Sequence, residues 1–296
     1  MSERRAAGRA TVSTVAQVAG VSTATVSRVM SGAGSVSPAL AERVRRAAEQ
    51  VGYHPNAAAR VLTSGRHRNV AVVIPDAANP YFLQVIKSVL RDAAGEGYRT
   101  LVADSQGDPE EELTIARNLV GTVDGLILLS SRIERQGLRE LARVDVPVVL
   151  VNRVELGVEL PMIAVDNFTA MLSLCGHLAE LGHRRAVYLS GSELAWQNRE
   201  RWRAVQQAAV FGLEATEIEA GGSIEAGRSA VERAMEQEPT ALICFNDLAA
   251  VGVISRLREL GLRVPEDVSV TGFDDIDLAR YSEPRLTTAK SFQANY

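Results

Sequence analysis

TVSTVAQVAGVSTATVSRVM, residues Thr11 to Met30, decides how the amino-terminal part of the chain folds. Thr11 can cap a first helix, and Ala16 is small where a second helix must approach. Gly20 stands where the first helix should end, because the left-handed conformation costs glycine least. Ser22 can cap a second helix whose inward face is Val26, Val29 and Met30. Thr23, Ala24, Ser27 and Arg28 fall on its outer face at helical spacing. Two helices joined by such a turn make helix-turn-helix geometry, with the second free to enter a major groove. On this stretch alone, an ordinary helical hairpin with a solvated polar face stays open as the alternative.

The charge around the stretch favours the first reading. Residues 1–68 carry 10 Lys/Arg against 3 Asp/Glu, a net of +7, whereas residues 69–296 carry 22 against 33, a net of −11. The overall −4 hides this asymmetry. A basic segment is drawn to a polyanion and an acidic one repelled by it. The 296 residues, 46% of them hydrophobic, are enough for more than one domain. Residues 1–10 read as a disordered, polar start with no apolar stretch for an export signal, and no later run is long enough to span a bilayer. A soluble cytoplasmic protein is expected. Cys175 and Cys244 lie in apolar surroundings, which suits free thiols better than a disulfide. Asp274, Asp275 and Asp277 form an acidic cluster that could suggest a metal, but nothing else has metal-ligand spacing, so neither metal nor cofactor is expected. His54, His67, His177 and His183 form no HExxH pattern, and Walker loop and GxSxG elbow are absent. Nothing nominates a nucleophile with its base, which argues against an enzyme.

From Val70 onward short apolar runs alternate with helical patterns. The strands expected are Val70–Ile74, Thr100–Ala103, Gly125–Leu129, Val148–Val151, Ala186–Leu189, Ala241–Phe245 and Val268–Thr271. Between them come helices at Tyr81–Ala94, Pro109–Val120, Gln136–Val144, Asn167–Leu181, Arg199–Phe211, Ile224–Glu236 and Leu248–Leu260. This alternation predicts parallel sheets covered by helices on both faces, and the strand count predicts two such units. Polar clusters close the strands: Asp76 with Asn79, Asp104-Ser105, Asn152-Arg153, Asn246-Asp247 and Asp274-Asp275. Ligands of open α/β sheets bind at those ends, so two units facing each other would gather these clusters around a cleft.

TVAQVAGVSTATVSRVMSG, followed by VSPAL and VGYHPNAAARVL, resembles the lactose/galactose-repressor family. NPYF (Asn79–Phe82), DGLILLSS (Asp124–Ser131), GHRR (Gly182–Arg185), CFNDLAAVG (Cys244–Gly252), VPEDVSVTGFDDI (Val264–Ile276) and PRLTT (Pro284–Thr288) extend the likeness from Thr11 to Thr288. The resemblance implies a helix-turn-helix DNA-binding domain at 11–55, a hinge helix and linker at 56–68, and an effector-binding body at 69–296. That body would be similar to periplasmic sugar-binding proteins: two doubly wound parallel-sheet subdomains with the ligand between them.

Carried over by position, Thr23, Ala24 and Arg28 would read bases, with Arg28 at the guanine-reading place. Ser13, Ser22, Thr25 and Ser27 would meet phosphates. Asn56, Ala59, Arg60 and Leu62 would lie at the minor groove, Leu62 as a wedge in a base step. In the body Asp76, Tyr81 and Phe82 would line one wall of the cleft, and Arg201, Asn246 and Asp274 the other, with Trp196 as a second aromatic platform. Asp247 reads equally as a helix cap or a ligand contact, and Trp196 equally as lid or core. Two departures stand out: Thr14 replaces a usual acid, and Asn152 a frequent aspartate. The implied activity is that of a homodimeric, nucleoid-associated repressor of carbohydrate-utilisation genes. It would bind a pseudo-palindromic operator and answer to a sugar or glycoside. The family continues past LTT with a further helix and strand, whereas this chain continues as AKSFQANY. A shortened product of reduced stability is the corresponding expectation.

Overall fold

The computed structural model describes residues 10–31, 36–53 and 65–290. The chain divides into two compact units, Met1–His67 and Arg68–Tyr296.

The first unit holds α1 (Val12–Ala19), α2 (Thr23–Ser31) and α3 (Pro38–Gln50). Thr11 caps α1, and with Thr14 it forms a reciprocal box. The Thr14 amide donates to Thr11 Oγ1 at 3.3 Å, and the Thr11 amide donates to Thr14 Oγ1 at 3.4 Å. The threonine hydroxyl thus fills the place of the missing acid. Gly20, at φ 62°, ends α1 in the left-handed conformation, as its position predicts. The Thr25 amide donates to Ser22 Oγ at 3.1 Å and starts α2. Val15, Ala16 and Ala19 pack against Val26 and Val29 and against Val44, Ala47 and Ala48 of α3. The alanines let the helix axes approach closely. Asn56, Ala59, Arg60 and Leu62 lie outside the described residues, as do residues 291–296, on which the shortened-product expectation rests.

The second unit contains two five-stranded sheets, parallel throughout. The first comprises β1 (Asn69–Ile74), β2 (Arg99–Asp104), β3 (Gly125–Leu129), β4 (Val148–Val151) and β5 (Met162–Ile163) in the order β2-β1-β3-β4-β5. Its helices are α4 (Pro80–Gly95), α5 (Pro109–Val120) and α6 (Arg135–Leu141). Successive β1 residues serve opposite faces: Ala71 and Val73 pack with α5 and α6, whereas Val72 and Ile74 pack with Tyr81, Phe82, Val85 and Ile86 of α4. A strand buried on both faces must read as a continuous apolar run, which is what VAVVI is.

The second sheet comprises β6 (Arg185–Ser190), β7 (Glu214–Glu219), β8 (Ala241–Cys244), β9 (Ser269–Phe273) and β10 (Thr287–Ala289) in the order β10-β9-β8-β6-β7. It is flanked by α7 (Asn167–Glu180), α8 (Trp196–Gln207), α9 (Ile224–Met235), α10 (Asp247–Glu259) and α11 (Asp277–Tyr281). Helices α9 and α10 touch backbone to backbone. A Cβ on Gly227 would overlap the Ala249 carbonyl, and one on Gly252 the Ile224 carbonyl. Both cysteines are free and buried, and burial pushes the Cys175 thiol up to about 12.

Four elements escape the sequence reading. β7, with sequence EATEIE, is an edge strand that pairs only with β6 and keeps charge on its open side, so it lacks an apolar run. β5, β10 and α11 have two, three and five residues, too few for a periodic pattern. The helix expected at Arg199–Phe211 starts earlier, at Trp196, and its last turn is a 3-10 helix, Ala208–Phe211.

Candidate functional site

Two places gather the polar residues singled out in the sequence. The first is the outer face of α2. Thr23, Ala24, Ser27 and Arg28 are exposed there, while Val26 and Val29 are buried beneath them. Ser13 on α1 is exposed as well. The Ser22 and Thr25 hydroxyls lie 2.9 Å apart and hold each other at the helix start.

The second place is a cleft of about 400 Å³ in the second unit, between the carboxyl ends of the two sheets. On its first wall, Asp76 follows β1 and accepts from the Ala78 amide at 2.8 Å. Asn79 caps α4 by accepting from the Tyr81 amide at 3.0 Å, which brings Tyr81 and Phe82 to the cleft in the first turn. Asp104, at the end of β2, accepts from the Ala77 amide at 3.0 Å. Ser130 and Asn152 follow β3 and β4 with left-handed backbones, at φ 55° and 57°. The Asn152 amide donates to Tyr81 Oη at 3.1 Å and to Ser130 Oγ at 3.2 Å. An aspartate at this position could only accept, so the departure at Asn152 changes which partner gives the proton.

On the second wall, Arg201 projects from α8 between two rings. Its guanidinium carbon is 3.6 Å from the Phe273 centroid and 4.8 Å from that of Phe245. Nε donates to Asn167 Oδ1 at 3.0 Å, Nη1 to the Phe245 carbonyl, and Nη2 to Asp274 Oδ1 at 3.2 Å. All three nitrogens are engaged inside the protein, so Arg201 props up Asp274 and the Phe245 loop. Asn246 caps α10 through the Ala249 amide at 2.9 Å and donates to the Gly222 carbonyl at 2.8 Å. Asp274 has φ 112°, a conformation that L-residues rarely adopt, with its side chain held by Arg201. Asp247 is not in the lining. Its carboxylate is fully buried and accepts from the Ile276 amide at 2.9 Å and the Thr288 hydroxyl at 2.6 Å. Burial, helped by the charges of Asp274 and Asp275, pushes its pKa up to about 7. Asn246 rather than Asp247 is the helix cap, which answers the alternative that the sequence left open.

The structure therefore brings Asp76, Tyr81, Phe82, Arg201, Asn246 and Asp274 around one cleft. Trp196 departs from expectation, because it is not among the lining residues and its neighbour Gln197 is. Helical geometry explains this. Gln197 lies four residues before Arg201 and shares its face of α8, whereas Trp196 is turned away by one residue. Gln197 also crosses the cleft: Nε2 donates to Ser130 Oγ at 2.7 Å and to the Asn152 carbonyl at 2.6 Å. Ser130, Arg132, Phe245 and Gln197 were missed in the sequence. Only Ser130 had a local signal, in the Ser-Ser closing DGLILLSS. Among the described residues no group of His, Cys, Asp or Glu is arranged to hold a metal ion, and no helix is long and apolar enough to cross a membrane.

Residues 9–56 match the sequence profile of bacterial regulatory proteins of the lacI family, and residues 175–295 match that of the periplasmic binding protein-like domain. The HTH-type transcriptional repressor CytR of Escherichia coli (strain K12) is 34% identical over 287 residues, which cover 94% of this chain and 84% of that repressor. The chain belongs to the lacI family. The HTH-type transcriptional repressor PurR of Vibrio atlanticus (strain LGP32) is 33% identical over 288 residues, 94% of this chain and 86% of its own. Among solved structures, the lac repressor dimer bound to operator and the anti-inducer ONPF superposes with a TM-score of 0.82 at 28% identity, covering 95% of this chain and 87% of that one. This lacI-family chain is thus a DNA-binding transcriptional regulator with an effector-binding body, and its two candidate sites are the two that such a regulator needs.

Proposed function

We propose that this lacI-family regulator is a cytoplasmic, nucleoid-associated repressor of carbohydrate-utilisation genes that binds a pseudo-palindromic operator as a homodimer. A small sugar-like effector in the cleft controls it. One observation carries the reading: a single chain holds both an exposed polar recognition face on α2 and a cleft lined by carboxylate, amide and aromatic groups. Carboxylates and amides take hydroxyls in pairs, and rings give a flat apolar platform for a sugar face. Two relatives support it by what they bind. One is the operator-bound lac repressor dimer, and the other is the transcriptional regulator CelR in complex with cellobiose, at a TM-score of 0.66 and 29% identity over 95% of this chain and 87% of that one.

In this reading Thr23, Ala24 and Arg28 address bases, and Ser13, Ser22, Thr25 and Ser27 address phosphates. Asn56, Ala59, Arg60 and Leu62 meet the minor groove between half-sites. Effector binding changes how the subdomains close and thereby the pairing of the hinges. The coupling is reciprocal, so an effector that weakens operator binding is itself held less tightly on DNA. The test is a salt-titrated binding assay with DNA from upstream of neighbouring genes. Arg28→Ala should cost about 1–3 kcal/mol of discrimination against the wrong base. Equal loss on operator and random duplex would remove Arg28 from base reading, and no protected site at low salt would end the proposal.

A further inference from the structure

We propose that the effector of this cleft carries an anionic group, a carboxylate or a phosphate, and that Arg132 receives it. The inference rests on the effector reading above and names the chemistry of its ligand.

The strand order lays out the first wall of the cleft as a row. Asp104 closes β2, Asp76 follows β1, Arg132 stands three residues past the end of β3, and Asn152 follows β4. Neighbouring strands are about 4.8 Å apart. The wall therefore runs from acidic to basic over the span of a small ring compound. At the acidic end the carboxylates are provided for, since Asp76 and Asp104 each accept a backbone amide, and Asp104 accepts a second one from Gln106 at 2.8 Å.

At the basic end the cation is not. Arg132 is partly buried and lines the cleft. Its Nη1 donates to the Ser130 carbonyl at 3.0 Å and to Gln197 Oε1 at 3.3 Å. Its Nε and Nη2 donate to nothing among the described residues, and no carboxylate there pairs with it. The neighbouring arginines differ. Arg201 is paired with Asp274, and Arg153 with Glu155 at 2.7 Å. The acid nearest to Arg132, Glu112, spends one oxygen on the Arg132 backbone amide at 2.7 Å rather than on the guanidinium. Nε and Nη2 form the edge of the fork that takes a carboxylate or phosphate through two parallel bonds. Loss of solvation already lowers the Arg132 pKa to about 10. Glu112 acts on this partly buried cation only from beyond ion-pair distance, so burial costs stability, and an anion on the open edge offsets that cost.

The test is isothermal titration of the full chain with matched probes at constant ionic strength: glucose, glucose 6-phosphate, glucuronate and inorganic phosphate. The expected result is that at least one anionic sugar binds about tenfold or more tightly than glucose. Arg132→Gln should erase that preference, and Arg132→Lys, which keeps the charge without the fork, should retain part of it. A phosphate-only preference assigns a sugar phosphate, and a glucuronate-only preference a sugar acid. Glucose binding as tightly as its anionic partners overturns the inference and leaves the effector reading standing. A preference that survives in Arg132→Gln also overturns it. Binding of inorganic phosphate without any sugar reduces Arg132 to a simple anion site and overturns it too. If no probe binds the wild-type chain, the effector reading falls with it.

Discussion

Replacing Arg201 by methionine keeps an apolar stem of similar reach and removes the guanidinium. Three bonds go with it, to Asn167, to the Phe245 carbonyl and to Asp274. The larger consequence is what stays behind. Asp274 is 7% exposed and would keep its carboxylate without the guanidinium that donates to it at 3.2 Å. Breaking a buried ion pair from one side costs about 3–5 kcal/mol. Loss of the cation between the Phe245 and Phe273 rings adds up to about 2 kcal/mol, which burial of the methionine side chain partly returns. A net loss of about 3–5 kcal/mol lowers the melting temperature of a body of this size by about 6–20 °C. The two tryptophans, Trp196 and Trp202, lie on the same helix as Arg201, so their fluorescence follows the unfolding of this subdomain directly. The double variant Arg201→Met/Asp274→Asn separates the causes. If the stranded charge is what hurts, the double variant is more stable than the two single losses predict, by about 0.5–3 kcal/mol. Single losses that add to within about 0.5 kcal/mol, or an Arg201→Met variant within about 1 kcal/mol of wild type, would show that the pair does not hold the site together.

Gln197→Ala removes the bonds that cross the cleft to Ser130, Asn152 and Arg132. At about 1 kcal/mol each it should disfavour the closed form by about 2–3 kcal/mol, seen as faster amide exchange after β3 and a larger radius of gyration in solution scattering; unchanged profiles would mean that Gln197 is no latch. Asp247 ties pH to stability. Its folded pKa, raised by burial to about 7 from the ordinary 3.8, means that the folded state holds the proton more tightly. Its contribution is full below about pH 4 and is lost as pH rises through about 7. Wild type should therefore lose more melting temperature between about pH 5 and about pH 8 than Asp247→Asn does, and parallel curves would assign the proton elsewhere.

How far the sequence could be read depended on what each segment had to bury. Strands covered on both faces, such as Gly125–Leu129 and Val148–Val151, carry their own boundaries, because every residue is apolar and the turn residues stop the run. Edge strands need no such run, and Glu214–Glu219 hides behind its charges. In the cleft the residues with family-like neighbours, Asp76, Phe82, Asn246 and Asp274, were legible. Arg132 and Gln197 were not, because their meaning lies in a contact across the two sheets that no local pattern encodes. Arg201 does line the cleft, but only coordinates show that each of its three nitrogens already donates within the protein.

Gly227 and Gly252 leave α9 and α10 no room to slide past each other, and Asn246 ties the start of one to the loop before the other through the Gly222 carbonyl. The pair therefore forms one stiff plate whose front edge borders the cleft. A molecule that tugs on Ser223 or Asn246 displaces the whole plate, including the far ends of both helices. A push received in the cleft would thus reach the far ends of both helices as a tilt of the pair.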